Sequence, residues 1–194
     1  MVKRGKKVTK SKGIKGIQKL SVQNIVATAS FNKPVSLIKL ARTSTDVQYN
    51  PEQFPGLVLG IKKPKSKVLV FSSGNIVCTG TKSVQEVKKV IKEVMKHLRK
   101  IGVKVREVPP ITVQNIVASG SIPMTLNLNE LALLLENTEY EPEQFPGLVY
   151  KLGNATFLLF SNGKLVCTGT KNRPQLLEAM QQLLRNLRAV KRGR

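Results

Sequence analysis

The sequence offers few residues that could catalyse a reaction. Its 194 residues include one histidine, His97, and two cysteines, Cys78 and Cys167, with no serine, histidine and aspartate set. Nucleophilic or acid–base catalysis needs such groups gathered in one cleft. The two cysteines take the same place in a repeated segment, so we expect buried free thiols rather than a disulfide or a metal site. The protein is therefore predicted not to be an enzyme and to hold no metal or cofactor, and His97 is expected at a solvated position on a helix.

Aromatic, amide and hydroxyl side chains stand out instead, and most of them occur twice. Residues 53–58, with the sequence QFPGLV, return unchanged as residues 144–149. Each copy is followed by an apolar run that ends in a further phenylalanine, Phe71 or Phe160, and then by a tail of the form Ser-x-Gly-x-x-x-x-Thr-Gly-Thr-Lys. The chain is one unit in two copies, and its side chains are suited to binding rather than to covalent chemistry.

The net charge of +22 indicates a polyanionic partner, most simply nucleic acid. Residues 1–20 carry eight basic and no acidic side chains, residues 21–110 carry sixteen and five, and residues 111–194 carry nine and six. An anionic membrane surface is the alternative, but the sequence has no basic amphipathic helix with an aromatic face. No apolar run approaches the roughly 20 residues of a membrane span, and none follows the basic N-terminus as in a secretory signal.

Residues 1–20 and 191–194 are expected to form basic tails, and the first is expected to be flexible. That tail either adds non-specific attraction to phosphates or serves only solubility.

Hydrophobic periodicity predicts the same order of elements in both repeats. In the first repeat we expect a strand over 22–29, a helix over 35–42, strands over 47–49, 56–61, 67–72 and 75–79, and a helix over 84–101. In the second repeat the matching pieces include a strand over 113–119, a helix over 128–135, strands over 157–160 and 164–168, and a helix over 173–190. Tight turns join most strands, so the sheet is antiparallel, and two helices per repeat cover only one of its faces. The prediction is an α+β fold in which repeats 21–110 and 111–190 share one continuous sheet with approximate two-fold symmetry.

Strand alternation separates a face packed on helices from an uncovered face. Ile25, Ala27, Val70 and Cys78 fall on the helix side. The uncovered side has no charge and is partly apolar, and its residues are Asn24, Val26, Thr28, Leu69, Phe71, Val77, Thr79, Asn115, Val117, Leu158, Phe160, Val166 and Thr168. An exposed apolar face usually marks an interaction surface. Reading the major groove of DNA calls for arginine and asparagine at base edges, so this face is better suited to the minor groove of A·T-rich DNA, whose edges offer only acceptors.

The duplicated QNIV strands, the EQFPGLV segments and the serine-glycine tails resemble the TATA-binding protein family, particularly its archaeal members, over residues 21–188. The resemblance implies a saddle-shaped sheet with the helices on its convex face. It implies a general transcription initiation factor that binds the TATA box through the minor groove, kinks it, and recruits transcription factor B and, indirectly, RNA polymerase. It also implies a place in the cytoplasm at the archaeal nucleoid, no membrane partner, and a possible weak homodimer when no DNA is bound.

The resemblance further assigns roles to individual residues. The intercalating pairs are Phe54 with Phe71 and Phe145 with Phe160. The implied base contacts are Asn24, Val26, Leu69, Val77, Thr79, Asn115, Val117, Leu158, Val166 and Thr168. The implied contacts to the DNA backbone are Ser73, Lys82, Lys151, Lys164 and Lys171. Transcription factor B is expected at Glu141 and Glu143, in an acidic stretch that the first repeat largely lacks.

Two positions depart from the family pattern. Gly60 stands where arginine is common, with the basic Lys151 as its counterpart, and Asn75 stands where lysine is common, with Lys164 as its counterpart. The first repeat is therefore expected to lose phosphate contacts, which the lysines of residues 62–67 and of the tail could replace.

Purely structural roles are the alternatives for several of these residues. Each phenylalanine could belong to the core, and the lysines of the first long helix, at 88, 89, 92, 96 and 100, could form a solvated face or contact a regulator or upstream DNA. The alternative function is a basic nucleic-acid module of the same repeated fold that serves repair or RNA processing.

Overall fold

The computed structural model describes residues 14–192, which form one ten-stranded antiparallel sheet and four helices. The first repeat contains β1 (Gln18–Ser30), α1 (Leu37–Thr43), β2 (Val47–Gln48), β3 (Leu57–Ile61), β4 (Ser66–Val70), β5 (Asn75–Thr81) and α2 (Val84–Lys100). The second contains β6 (Thr112–Ser121), α3 (Leu128–Leu134), β7 (Thr138–Glu139), β8 (Leu148–Leu152), β9 (Ala155–Leu159), β10 (Lys164–Thr170) and α4 (Arg173–Arg192). The predicted α+β fold is confirmed.

The strand order shows the two-fold relation between the repeats. It runs β2-β3-β4-β5-β1-β6-β10-β9-β8-β7, so each half lists equivalent strands in mirrored sequence. The join is the antiparallel pair β1–β6, where Ile25 lies opposite Ile116, its own counterpart. The sheet is one curved layer with the helices on its convex face, as the family resemblance implies.

Local sequence determines where the long helices begin and end. The hydroxyl of Ser83 accepts the backbone N–H of Glu86 at 3.1 Å, and the Glu86 carboxylate accepts the N–H of Lys82 at 2.8 Å. The Ser83 hydroxyl thus satisfies one N–H that the first turn of α2 leaves without a partner, and Glu86 fixes the residue before the cap in return. At the other end Gly102 adopts φ 87°, and its N–H donates to the Arg99 carbonyl at 3.0 Å. A left-handed glycine ends a helix in this way because it has no Cβ to clash.

The core lies between the sheet and the helices. Ile25, Ala27, Val70 and Cys78 are all at most 4% exposed, as the alternation predicts. The helices contribute a buried stripe to the same cluster, including Val87, Val90, Ile91, Val94, Met95 and Leu98 of α2 and Leu176, Met180, Leu183, Leu184 and Leu187 of α4. Val84, which the periodicity predicts on this stripe, is 38% exposed because it sits at the first turn of α2, at the edge of the core.

Both cysteines are buried free thiols, as predicted. Burial raises the pKa of Cys78 to about 11, although a hydrogen bond with Thr81 opposes the shift. Burial raises the pKa of Cys167 to about 12. Thiols held in this protonated state are poor nucleophiles and poor metal ligands.

Four local predictions need correction, at the start of β1, the start of α1, the C-terminal tail and His97. The first strand begins at Gln18 rather than at residue 22, since Gln18 pairs with Ser121 and extends the central β1–β6 ladder, so residues 18–20 belong to the sheet. The first short helix begins at Leu37, because the N–H of Val35 is bonded to the Ser72 carbonyl outside any helix. Residues 191–192, expected in the C-terminal tail, are the last residues of α4. Residues 1–13 and 193–194 of the expected tails lie outside the described residues.

The prediction for His97 also needs correction, because its side chain is partly buried rather than solvated. Its Nδ1 lies 2.9 Å from Ser44 Oγ, which connects α2 to the segment after α1. Burial, and next the positive charge of Lys100, lowers the pKa of His97.

No helix within residues 14–192 is long and apolar enough to cross a membrane.

Candidate nucleic-acid interface

The sheet surface opposite the helices, here called the sheet face, holds all ten side chains predicted to touch bases. Each of the ten is partly exposed, whereas its strand neighbours on the helix side are buried. Leu69 lies directly opposite Val77 across β4 and β5, and Leu158 lies opposite Val166 across β9 and β10. The structure therefore brings the predicted residues of both repeats onto one uncovered surface.

At the centre of the sheet face, two asparagines are held in a fixed orientation. Asn24 Oδ1 accepts the backbone N–H of Gly80 at 2.7 Å, and its Nδ2 donates to Thr79 Oγ1 at 3.1 Å. A backbone N–H can only donate, so it assigns the oxygen and nitrogen of the amide. The amide nitrogen has two hydrogens, and the threonine takes one of them.

The second repeat reproduces this arrangement. Asn115 Oδ1 accepts the N–H of Gly169 at 2.8 Å, and Asn115 Nδ2 donates to Thr168 Oγ1 at 2.9 Å. The sheet face thus presents two amide donors and two hydroxyl groups, all fixed by the fold.

Glycine makes this geometry possible. Gly80 and Gly169 have φ values of 93° and 91°, where a side chain would be strained. Both lie where the pairing register shifts by a bulge, between Ile25 and Ala27 in one repeat and next to Cys167 in the other. A Cβ at Gly169 would come within 2.1 Å of the Asn154 carbonyl oxygen. The bulge turns an N–H toward the asparagine, as bulges near functional sites often do.

The register of β1 and β6 groups these donors with apolar side chains. Asn24 lies opposite Val117, and Val26 lies opposite Asn115. The centre of the sheet face is therefore neutral, with hydrogen-bond donors flanked by valines.

The four predicted phenylalanines form two edge-to-face pairs, one in each repeat. The ring centroids of Phe54 and Phe71 are 6.0 Å apart with planes at 65°, and those of Phe145 and Phe160 are 5.9 Å apart at 69°. Phe54 is 42% exposed and Phe145 is 39% exposed, so neither is a core residue. Aromatic rings of this size are normally buried, and exposure of two equivalent pairs points to contact with a ligand.

Gly56 and Gly147 provide the space for these pairs. A Cβ at Gly56 would lie 2.6 Å from Phe54 Cε1 and 3.0 Å from Phe71 Cε1. At Gly147 the distances to Phe145 and Phe160 would be the same. The glycine of each QFPGLV segment therefore lets the two rings rest against the backbone.

Exposed polar groups surround the sheet face. Lys82, Lys164 and Lys171 are exposed, as is Ser73, whose Oγ accepts the N–H of Asn75 at 3.4 Å. Lys151 is paired with Glu139 at 2.6 Å, but both side chains are more than half exposed. Such surface pairs contribute little and exchange readily, so Lys151 can turn to a phosphate.

Glu141 and Glu143 are exposed in the connection between β7 and β8. The Glu141 carbonyl accepts the N–H of Phe145 at 2.9 Å, so the acidic segment directly supports one phenylalanine pair. The counterparts in the first repeat are Asn50 and Glu52, and Asn50 supports Phe54 through the same bond at 3.0 Å. The local fold is the same in both repeats, and the charge differs.

Sequence reasoning missed three residues of the sheet face. Val58 lies opposite Leu69, and Val149 lies opposite Leu158, and both valines are partly exposed. The alternation of β3 and β8 contains the signal for them. Lys67 is predicted at the start of a strand but not assigned to a face; it is exposed in β4 and lies opposite Thr79.

The arrangement is suited to binding rather than to catalysis. Among residues 14–192 no three histidine, cysteine, aspartate or glutamate side chains are grouped to hold a metal ion. The site offers fixed donors, apolar contacts and exposed rings, with cations around them.

Comparisons with known proteins identify one family. A family model described as transcription factor TFIID, or TATA-binding protein, matches residues 19–101 and 110–190. A TATA-box-binding protein of Archaeoglobus fulgidus is 46% identical over 176 residues, covering 89% of this chain and 96% of the relative. The one of Thermococcus kodakarensis is 44% identical over 171 residues, covering 87% and 90%. A solved structure of the TBP of Methanococcus jannaschii matches with a TM-score of 0.83 at 39% identity, covering 88% of this chain and 98% of that one.

Proposed function

The chain belongs to the TATA-binding protein family, and on this premise we propose that it initiates transcription by binding an A·T-rich promoter box through the minor groove. The family is one of transcription factors, which agrees with the prediction that the chain is not an enzyme. We further infer, from the side chains of the sheet face and its surroundings, that the protein kinks the box and recruits further factors.

The observation that carries the proposal is the fixed pair of asparagine donors. Gly80 and Gly169 orient the amides of Asn24 and Asn115 so that nitrogen, not oxygen, is left for a partner. The minor groove of A·T pairs displays only acceptors, namely adenine N3 and thymine O2. A guanine amino group would bring a second donor against these amides and their valine neighbours. The centre of the sheet face therefore selects A·T over G·C.

The phenylalanine pairs are suited to kinking the box. Phe54 and Phe145 are the exposed members, each supported at its edge by a partner ring. Apolar wedges inserted in the minor groove unstack a base step for a few kcal/mol, offset by wider contact with the bent duplex, and this family is itself the reference case of that mechanism. We assign Phe71 and Phe160 the same role, because they are partly exposed in the same clusters.

Further contacts complete the proposal. Lys82, Lys151, Lys164, Lys171 and Ser73 would contact the DNA backbone at the rim. Glu141 and Glu143 would receive a basic transcription factor B, which in turn recruits RNA polymerase. In cells this activity belongs to the archaeal nucleoid. When no DNA is bound, the half-exposed sheet face can pair weakly with a second copy.

The proposal is tested by gel shift with an A·T-box duplex and a matched G·C duplex at moderate and high salt, with circular permutation of the box to measure bending. Wild type should select the A·T box and bend it strongly. Phe54→Ala/Phe160→Ala should lose the bend. The control Leu133→Ala/Leu134→Ala removes apolar side chains that are 85% and 59% exposed outside the sheet face, and it should bend DNA normally.

Equal binding to both duplexes, unbent and falling steeply with salt, would mean that charge alone does the binding. The basic nucleic-acid module serving repair or RNA processing would then be the better account.

A further inference from the structure

The two long helices pack against the sheet in the same way but differ in the charge of their exposed sides. α2 and α4 occupy equivalent places, and buried Ile91 and Leu98 of α2 correspond to buried Met180 and Leu187 of α4. Their outward sides have no such correspondence. Both helices come from one duplicated unit. Comparing them therefore shows which side chains are needed for packing on the sheet.

Six exposed cations of α2 form what is here called the cationic ridge: Lys88, Lys89, Lys92, Lys96, Arg99 and Lys100. The counterparts in α4 are Leu177, Glu178, Gln181, Arg185, Arg188 and Ala189. Four of the six positions are therefore uncharged or acidic in the other repeat. Packing on the sheet does not demand the ridge.

Arg99 and Lys100 lie in the last turn of α2, where cations are favourable, but the other part of the ridge weakens the helix. Lys88, Lys92 and Lys96 follow one another at a spacing of four residues, where like charges repel. One ion pair among the described residues relieves it, between Lys96 and Glu93 at 2.7 Å. The nearby Glu86 is already used in the helix cap. A charge arrangement that the fold does not need and that costs stability indicates a ligand.

Three cations of the ridge meet a fourth, Arg106, at one place on the surface. A depression of about 260 Å³ is lined by Lys92, Met95, Lys96, Arg99, Arg106 and Val108. Arg99 Nε donates to the Val105 carbonyl at 3.0 Å, which ties the segment after α2 to the ridge and brings Arg106 beside it. Four cations around a shallow depression with an apolar base are suited to binding phosphate groups.

We propose that the cationic ridge binds the phosphate backbone of a second DNA duplex while the sheet face holds the promoter box. The ridge lies on the helix side of the sheet, so the two duplexes do not compete. From Lys88 to Lys100 the helix rises about 18 Å at 1.5 Å per residue, which matches the axial length of about ten duplex charges. The claim that this duplex is a second one rests on the proposed function. The claim that the ridge binds DNA does not depend on it.

A protein partner fits the ridge less well than DNA does. Protein interfaces depend on a central aromatic or aliphatic anchor. In α2 the one large apolar side chain exposed is Val84, at the start of the helix and away from the depression. A surface of cations with no anchor favours a polyanion of regular charge spacing, and it gives no means of reading base sequence.

The test uses a variant of the ridge and a control with equal charge. The ridge variant is Lys88→Gln/Lys92→Gln/Lys96→Gln/Lys100→Gln, which includes Lys92 and Lys96 of the depression. The control, Arg173→Gln/Arg185→Gln/Lys191→Gln/Arg192→Gln, removes four exposed cations from α4. An A·T-box duplex is immobilised and saturated with each protein, and capture of a labelled G·C duplex from solution is measured. Wild type and the control should capture it, and the ridge variant should capture roughly tenfold less or lower, with a salt slope reduced by about 3.6 for four lost contacts.

Three results would overturn the proposal: equal capture by wild type and the ridge variant, equal loss in both charge variants, or preferential retention of polyglutamate over duplex by the ridge. Binding to the A·T box itself, measured by gel shift, should be unchanged in both variants. If no protein selects the A·T box, the proposed function fails instead. Direct titration with the G·C duplex then compares the same variants without a first duplex.

Discussion

Lys67 lies directly opposite Gly60 across β3 and β4, on the sheet face. In the second repeat the corresponding pair is Lys151 opposite Thr156. Each repeat therefore has one lysine in this cross-strand pair, on β4 in the first and on β8 in the second. The Asp46 carboxylate occupies the space beside Gly60, since a Cβ at position 60 would clash with that carboxylate. The charge missing at Gly60 is restored by its neighbour across the sheet.

We expect Lys67→Thr, which copies Thr156, to weaken binding to the A·T box and to lower the slope of log K against log salt by about 0.9, the value for one phosphate contact. The matched control is Lys62→Thr, an exposed lysine in the turn after β3. Salt titrations by fluorescence anisotropy measure both. An equal change of slope in the control would mean that Lys67 acts only through net charge.

Asn24→Asp tests the fixed amide donor. The carboxylate keeps the acceptor for the Gly80 N–H but replaces the donor nitrogen with a negative oxygen, which base acceptors repel. We expect affinity for the A·T box to fall by about 1–3 kcal/mol, roughly fivefold to 150-fold. Asn127→Asp is the control, because that residue caps α3 through Oδ1 and aspartate caps as well. Unchanged affinity for Asn24→Asp in an anisotropy titration would remove Asn24 from the recognition site.

Gly56→Ala tests how the phenylalanine pair is positioned. The new Cβ would lie 2.6 Å from Phe54 Cε1, so the exposed ring must swing away. We expect a stability loss of about 1 kcal/mol and a clearly smaller bend by circular permutation. Gly102→Ala serves as the control, because it is strained at φ 87° but has nothing within 4 Å. Normal bending by Gly56→Ala would show that kinking does not depend on this ring geometry.

Particular residues show how far the sequence could predict this structure. Period-two alternation placed Asn24 and Val26 on one face and Ile25 on the other, because side-chain direction depends only on position in a strand. The partnership of Lys67 with Gly60 depends on the register between strands, and that of Asn24 with Gly80 depends on a bulge. Neither is encoded in any local pattern. The start of β1 at Gln18 was missed for the same reason, since its partner Ser121 is distant in sequence.

The buried thiols predict how stability depends on pH. Unfolded cysteines ionise near the ordinary pKa of 9.0, whereas the folded pKa values are about 11 for Cys78 and about 12 for Cys167. Between pH 9 and 11 the unfolded state therefore loses protons that the folded state keeps, so the free energy of unfolding decreases. Below pH 9 this contribution is fully present. Urea denaturation of wild type should show the decline, and Cys78→Ala/Cys167→Ala, although less stable at pH 8, should show a shallower one. Parallel declines would mean that other groups cause it.

The charge difference between equivalent segments predicts which end of the molecule receives the next factor. Glu143 and Glu52 occupy the same position of the two repeats, and Glu141 corresponds to the neutral Asn50. Like charges brought together at an interface cost several kcal/mol. We therefore expect Glu143→Lys to weaken assembly of transcription factor B on the protein–DNA complex by roughly tenfold or more, while binding to the A·T box is retained. Glu52→Lys makes the identical charge reversal on the other repeat and should leave assembly unchanged. A supershift titration with transcription factor B distinguishes the two, and equal loss in both variants would mean that the acidic stretch of the second repeat does not set the direction of assembly.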